Sequence, residues 1–163
     1  MRWMCMSLKN QFKTDESLET SGVVIQYGST RIRIARAGGS NIAYKKALEK
    51  EMKPHRRALA ANVMDNEQAL PILQRVFAKH VVVDWNEECL VDGKKQWVRG
   101  INPEDIGLGK VADGDLAASL ETFTPENVLA VFSELPELYS DLQDQANGHS
   151  LFREETNEEA SGN

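Results

Sequence analysis

The stretch Val23-Val24-Ile25-Gln26-Tyr27-Gly28-Ser29-Thr30-Arg31-Ile32-Arg33-Ile34-Ala35-Arg36 decides the fold. Residues 23–27 form a β-branched and aromatic run, and residues 30–36 alternate strictly. Gly28-Ser29 between them is a two-residue, glycine-containing turn, so the whole stretch reads as a β-hairpin. Side chains alternate across a strand, which places Ile32 and Ile34 on one face and Arg31, Arg33 and Ala35 on the other. A lone hairpin is only marginally stable, so its apolar face has to rest on other parts of the chain.

Helices on the C-terminal side supply that support. Gly38-Gly39 is a flexible joint, and Ser40 or Asn41 caps a helix whose apolar residues are Ala43, Tyr44, Ala47, Leu48 and Met52. Pro54 interrupts it, and a second short piece runs from His55 to Val63. Asp65 with Gln68 has the spacing of a capping box, and Leu70, Leu73, Val76, Phe77 and His80 then trace one helical face. Pro71 sits awkwardly in that helix. Thr124-Pro125-Glu126 is a helix start: a cap, a proline in the first turn, and an acid against the positive dipole end. Val128, Leu129, Val131 and Phe132 follow on its apolar side. The pattern restarts at Ser133-Glu134-Leu135-Pro136-Glu137, after which Leu138, Tyr139, Leu142, Ala146, His149 and Phe152 recur at helical spacing.

Between these helices, Val81-Val82-Val83-Asp84-Trp85 reads as a strand or as the buried exit of the preceding helix. Asp92-Gly93 is a type I′ turn signal between Cys89-Leu90-Val91 and Gln96-Trp97-Val98, which makes a second hairpin. Residues 101–121 hold three glycines among several acids and read as loop-rich. The expected fold class is α+β and mainly α-helical: an N-terminal β-hairpin followed by packed short helices, with the second hairpin in a central insertion at about 86–121. Residues 1–20 read as a flexible lead-in, 21–153 as a single globular domain, and 154–163 as an acidic disordered tail. Met1, Met4 and Met6 are alternative starts.

Composition excludes several classes. The chain has 163 residues, 41% hydrophobic and 27% charged, which is one core-forming domain. No apolar run approaches the roughly 18–20 residues of a membrane helix, and the first residues lack the pattern of a signal peptide. Cys5 and Cys89 are too few for a disulfide scaffold, which points to a reducing compartment.

Charge is unevenly spread. Residues 1–80 carry 14 Lys/Arg against 7 Asp/Glu, and residues 81–163 carry 5 against 18. The basic surplus concentrates in 31–57, where Arg31, Arg33, Arg36, Lys45, Lys46, Lys50, Lys53, Arg56 and Arg57 outnumber Glu49 and Glu51. Such a patch suits phosphate contacts or an acidic protein surface, including this chain's own second half. Aromatic interleaving of the kind single-strand binders use is limited to Tyr27 and Tyr44.

No catalytic constellation emerges. His55, His80 and His149 fall on separate elements, which argues against a metal site, and no cofactor motif occurs. Cys89 follows Glu87-Glu88, and negative neighbours raise a thiol pKa, so Cys89 reads as a strand residue and not as a nucleophile.

The segment from Tyr27 to Lys50, with Lys53-Pro-His-Arg-Arg-Ala58, resembles the tail assembly chaperones of long-tailed bacteriophages. Met64-Asp-Asn-Glu-Gln-Ala69 leading into Val81-Val-Val-Asp-Trp85 extends the resemblance, as does Phe123-Thr-Pro-Glu-Asn-Val-Leu-Ala-Val-Phe-Ser-Glu-Leu-Pro-Glu-Leu-Tyr139 with the run to Arg153. Together these cover most of residues 7–155, while 86–121 is longer than the family's connection. The resemblance implies a non-enzymatic protein of the host cytoplasm. It would bind the tape measure protein, help recruit tail tube protein, and be absent from the mature virion. Self-association joins the list of partners, and membrane and nucleic acid do not. The residues offered for partner contact are Arg31, Arg33, Arg36, Arg56, Arg57, Leu138, Leu142 and Phe152, with membership of the core as the alternative for the last three. The competing classes are a small nucleic-acid-binding or regulatory protein using the 31–57 patch and a minor structural tail protein.

Overall fold

The computed structural model describes residues 7–148 and 150–153. Cys5, His149, the alternative starts and the 154–163 tail lie outside the described residues. The described chain is α+β and mainly helical, as the sequence indicates. One four-stranded antiparallel sheet runs in the order β1 (Val23–Tyr27), β2 (Thr30–Ile34), β3 (Val82–Val91), β4 (Lys94–Arg99). Helices α3 (Ile42–Met52), α4 (Arg56–Ala60) and α5 (Asn66–His80) connect β2 to β3. Helices α7 (Pro125–Glu134) and α8 (Pro136–Asn147) close the chain, after a short α6 (Leu116–Ser119).

Both turns have the backbone their residues favour. Gly28 has φ +60°, and Asp92 and Gly93 have φ +52° and +78°, the left-handed pair of a type I′ turn. The register pairs Ile25 with Ile32 and Gln26 with Arg31, then Ile32 with Trp85 and Arg31 with Asn86. Ile32, Ile34, Trp85 and Cys89 therefore share a buried face, and Arg31, Arg33, Asp84 and Asn86 share the other. The register slips between Arg33 and Ile34, so Ile34 lies opposite Val82. Val83 is the extra residue of this bulge and is left exposed.

Helices cover the buried face alone. Phe77 of α5, Phe132 of α7 and Tyr139 of α8 meet with ring centroids 5.1–6.0 Å apart; Phe77 meets both of the others edge-on, a favoured arrangement, and Phe132 and Tyr139 are tilted at 53°. Val81, Ile101, Val128, Val131, Leu142 and Ala146 complete the core around them. The local signals match the sequence reading: the Asp65–Gln68 capping box is complete, and Thr124 Oγ1 accepts the Asn127 N–H at 3.1 Å. Asn41 caps α3 and does more. Its buried Nδ2 donates to the carbonyls of Arg36 and His80, tying the start of α3 to the exits of β2 and α5.

Three features differ from the sequence reading. The second hairpin does not stand apart: β3 runs unbroken from Val82 to Val91 and pairs with both β2 and β4, so the stretch set off as an insertion at 86–121 begins inside the sheet. Only the stretch after Gly100 is irregular, pinned by an Ile101–Glu121 bridge. The lead-in also carries structure, with α1 (Leu8–Phe12) and α2 (Glu16–Ser21). Asp15 caps α2, and Glu19 is 2% exposed beneath Arg36, Gly39 and Ser40. The helical pattern ends at Asn147, and Phe152 belongs to a separate 3₁₀ turn. The Asp15 N–H donates to the Phe152 carbonyl and the Ala37 N–H to the Ala146 carbonyl, which ties the segments before β1 and after β2 to the closing part of the described chain.

A candidate docking cleft at the joint of two helices

Leu135 both ends α7 and precedes α8, with φ −127° and ψ +71°, and Pro136 opens α8 without needing a backbone partner for its nitrogen. A residue at such a joint belongs to the buried stripe of neither helix, and Leu135 stays 42% exposed. Leu138, one turn on, is half-buried. Together they border a cleft of about 520 Å³ against the ends of β1 and β2. Tyr27, Ile32, Trp85 and Pro136 add apolar wall, and Asp105, Glu134 and Glu137 supply three carboxylates. Among the described residues, the lining holds no Lys or Arg.

Asp105 reaches the cleft on a 3₁₀ turn, Pro103–Ile106, that starts from an Asn102 cap and ends at Gly107. Gly107 has φ +83°, and a Cβ there would come within 3.0 Å of Glu134 Oε1. That close approach sets the Asp105 turn beside the end of α7. Burial, then the neighbouring Glu104, pushes the Asp105 carboxyl above its ordinary pKa.

Glu87 lies behind the wall and is 1% exposed. Its two carboxyl oxygens accept the Thr30 hydroxyl at 2.8 Å and the Trp85 indole N–H at 3.2 Å. Its pKa stands raised at about 7: burial is the largest cause, the hydrogen bonds from Thr30, Trp85 and the Asn102 N–H pull it down, and the charge of Asp105 adds to the rise. With both oxygens engaged and the group enclosed, Glu87 holds the cleft wall and presents no free oxygen to a reactant. On the same rim, Tyr27 donates its hydroxyl to Asp141.

The residues offered from the sequence do not converge. Arg31 and Arg33 stand on the open face of the sheet, opposite the cleft. Arg31 lies 4.0 Å over the Trp97 ring, and Arg33 donates to the Gly22 carbonyl at 3.3 Å. Arg36 pairs with Glu19 at 3.0 Å and serves the fold. Arg56 and Arg57 are exposed on α4. Leu138 lines the cleft, but Leu142 and Phe152 have no exposed surface and are core residues: Leu142 joins the central cluster, and Phe152 is enclosed in a 3₁₀ turn packed against α2. The sequence reading passed over Asp105, Glu134, Leu135 and Glu137 as contact residues. The Glu134-Leu135-Pro136-Glu137-Leu138 run, acids alternating with apolar residues at a helix break, was the available signal.

Cys89 is buried in β3, and burial and then Glu87 push its thiol pKa upward, as its neighbours in sequence suggest. Among the described residues, no group of three His, Cys, Asp or Glu side chains is arranged to hold a metal ion. No helix among them is long and apolar enough to cross a membrane. No protein-family model, no curated protein and no solved structure matches this chain.

Proposed function

We propose that this protein is a tail assembly chaperone of a long-tailed bacteriophage. In this reading it catalyses no reaction, binds the tape measure protein in the host cytoplasm, helps bring tail tube subunits to it, and is left out of the finished particle. One observation carries the reading toward protein binding: the joint of α7 and α8 leaves Leu135 exposed and Leu138 half-exposed beside an apolar-walled cleft. A chaperone must release its client when the tube takes its place. A contact that mixes a few apolar anchors with exposed carboxylates has that reversible character. The ordered resemblance across 27–58, 64–85 and 123–153 supplies the identity of the client.

Co-expression tests the proposal. The tape measure protein made with this chain is expected in the soluble fraction, and without it in aggregates. Purified phage particles are expected to lack this chain. Unchanged solubility would remove the chaperone reading, and fixed stoichiometry in mature particles would make the protein a minor structural component.

A further inference from the structure

We propose, resting on the chaperone reading, that the cleft at the α7–α8 joint docks an amphipathic segment of the client that carries Lys or Arg beside an apolar anchor. The volume of about 520 Å³ accommodates a few side chains and not a whole helix, so the segment lies across the mouth and inserts its anchor. The anchor meets Tyr27, Leu135, Pro136 and Leu138, with the buried Ile32 and Trp85 behind them as the floor of the cleft. The charge of the segment follows from the rim. Asp105, Glu134 and Glu137 face the space with no cation among the described lining residues, and the 81–163 half that builds most of the cleft carries 18 acids against 5 basic residues. An anionic segment would meet repulsion at close range, while a cationic one gains a partner and is steered inward from a distance. Asp105 is already half-buried beside the enclosed Glu87, so a cation brought to this wall relieves two desolvated carboxyl groups together.

The test uses two fluorescently labelled 20-residue peptides, identical in leucine periodicity, one with lysine and one with glutamate at the polar positions. Anisotropy with the full chain is expected to show binding of the Leu/Lys peptide only. Glu134→Gln with Glu137→Gln should weaken it at least tenfold, and Leu135→Ser should do the same without changing the peptide's salt dependence. Glu16→Gln with Glu67→Gln, an equal charge change on exposed positions of α2 and α5, should leave binding within twofold. Equal binding of the two peptides overturns the proposal. So does an equal loss in the Glu16/Glu67 control, which would make the effect one of net charge. The co-expression assay separates this result from the parent reading. If wild-type chain and the Glu134/Glu137 variant solubilise the tape measure protein equally well, the chaperone reading stands and the cleft proposal fails. If wild-type chain does not solubilise it, the reading itself fails.

Discussion

Glu87 on β3 lies directly opposite Thr30 on β2, and the Thr30 hydroxyl donates to its carboxylate at 2.8 Å inside a wall that excludes water. This cross-strand pair holds an ionisable group in the core with its pKa raised to about 7, first by burial. A buried acid with a raised pKa binds its proton more tightly when folded than when unfolded. Its favourable contribution is complete below the ordinary value of 4.5, declines as pH rises, and is gone above about 7.

Glu87→Gln removes that dependence and keeps hydrogen-bonding groups for Thr30 and Trp85. Urea unfolding followed between about pH 5 and pH 8 should show wild-type stability falling by on the order of 2 kcal/mol more than the variant's. The variant should be the more stable of the two at the upper end. Parallel curves would mean that Glu87 titrates as an ordinary carboxylate.

The clasp at Glu19 has the opposite sign. Burial works to raise the Glu19 pKa, but hydrogen bonds from Thr14, the Ser40 N–H and Arg36 outweigh it and hold the carboxyl below its ordinary value. Its contribution is therefore present above the ordinary value of 4.5 and lost as pH falls through the lowered one. Glu19→Ala leaves Arg36 and the Ser40 N–H without their partner and should cost about 2–4 kcal/mol at neutral pH. Gly39→Ala should be no milder, because Gly39 has φ +53° and a Cβ there would run into Glu19 Oε2. Thermal melts at neutral and acid pH check both, and a Glu19→Ala melt that stays at the wild-type temperature would show the clasp to be dispensable.

These two carboxylates mark where sequence reading stops. The hairpin at 23–34, the Asp92-Gly93 turn, the Asp65–Gln68 box and the Thr124-Pro125 start are each written in a handful of adjacent residues, and each appears in the structure. Asn86-Glu87-Glu88 reads as polar and hides the fact that β3 is one long strand. Glu87 is tolerated inside because Thr30, 57 positions away, supplies a hydroxyl beside the donors of Trp85 and Asn102. The cleft is non-local in the same way: Asp105 comes from a loop turn, Glu134 and Leu135 from a helix joint, Tyr27 from an edge strand. No spacing within one segment announces that they meet.

On the open face of the sheet, the Arg31 guanidinium covers the Trp97 ring, and Arg99 pairs with Asp84 at 2.9 Å. The ring that single-stranded nucleic acid would stack on is already occupied by a side chain of this protein. The chain is expected to bind single-stranded and duplex DNA weakly at physiological salt, with no sequence preference. Gel-shift titration checks this; tight binding with a steep salt slope would favour a nucleic-acid role. A double-mutant cycle of Arg31→Ala and Trp97→Ala should return a coupling of about 0.5–1 kcal/mol.

The closing helix offers a sharper separation, because Leu138 and Leu142 sit one turn apart on α8 with different surroundings. Leu142 is fully buried in the core cluster that also holds Phe77, Phe132 and the sheet's Ile32 and Ile34, while Leu138 is half-buried at the cleft. Leu142→Ala opens a cavity in a fully buried site and should cost about 3–4 kcal/mol in urea unfolding. Leu138→Ala loses contact on one side only and should cost about 1 kcal/mol. Client binding should rank the two residues the other way. At a temperature where both variants are folded, Leu138→Ala should reduce the amount of tape measure protein kept soluble, and Leu142→Ala should not. Two alanines of the same chemistry, four residues apart, then distinguish a residue that holds the fold from one that meets a partner. If Leu138→Ala retains full solubilising capacity while Leu142→Ala loses it, the working surface lies elsewhere on the molecule and depends on the integrity of the core.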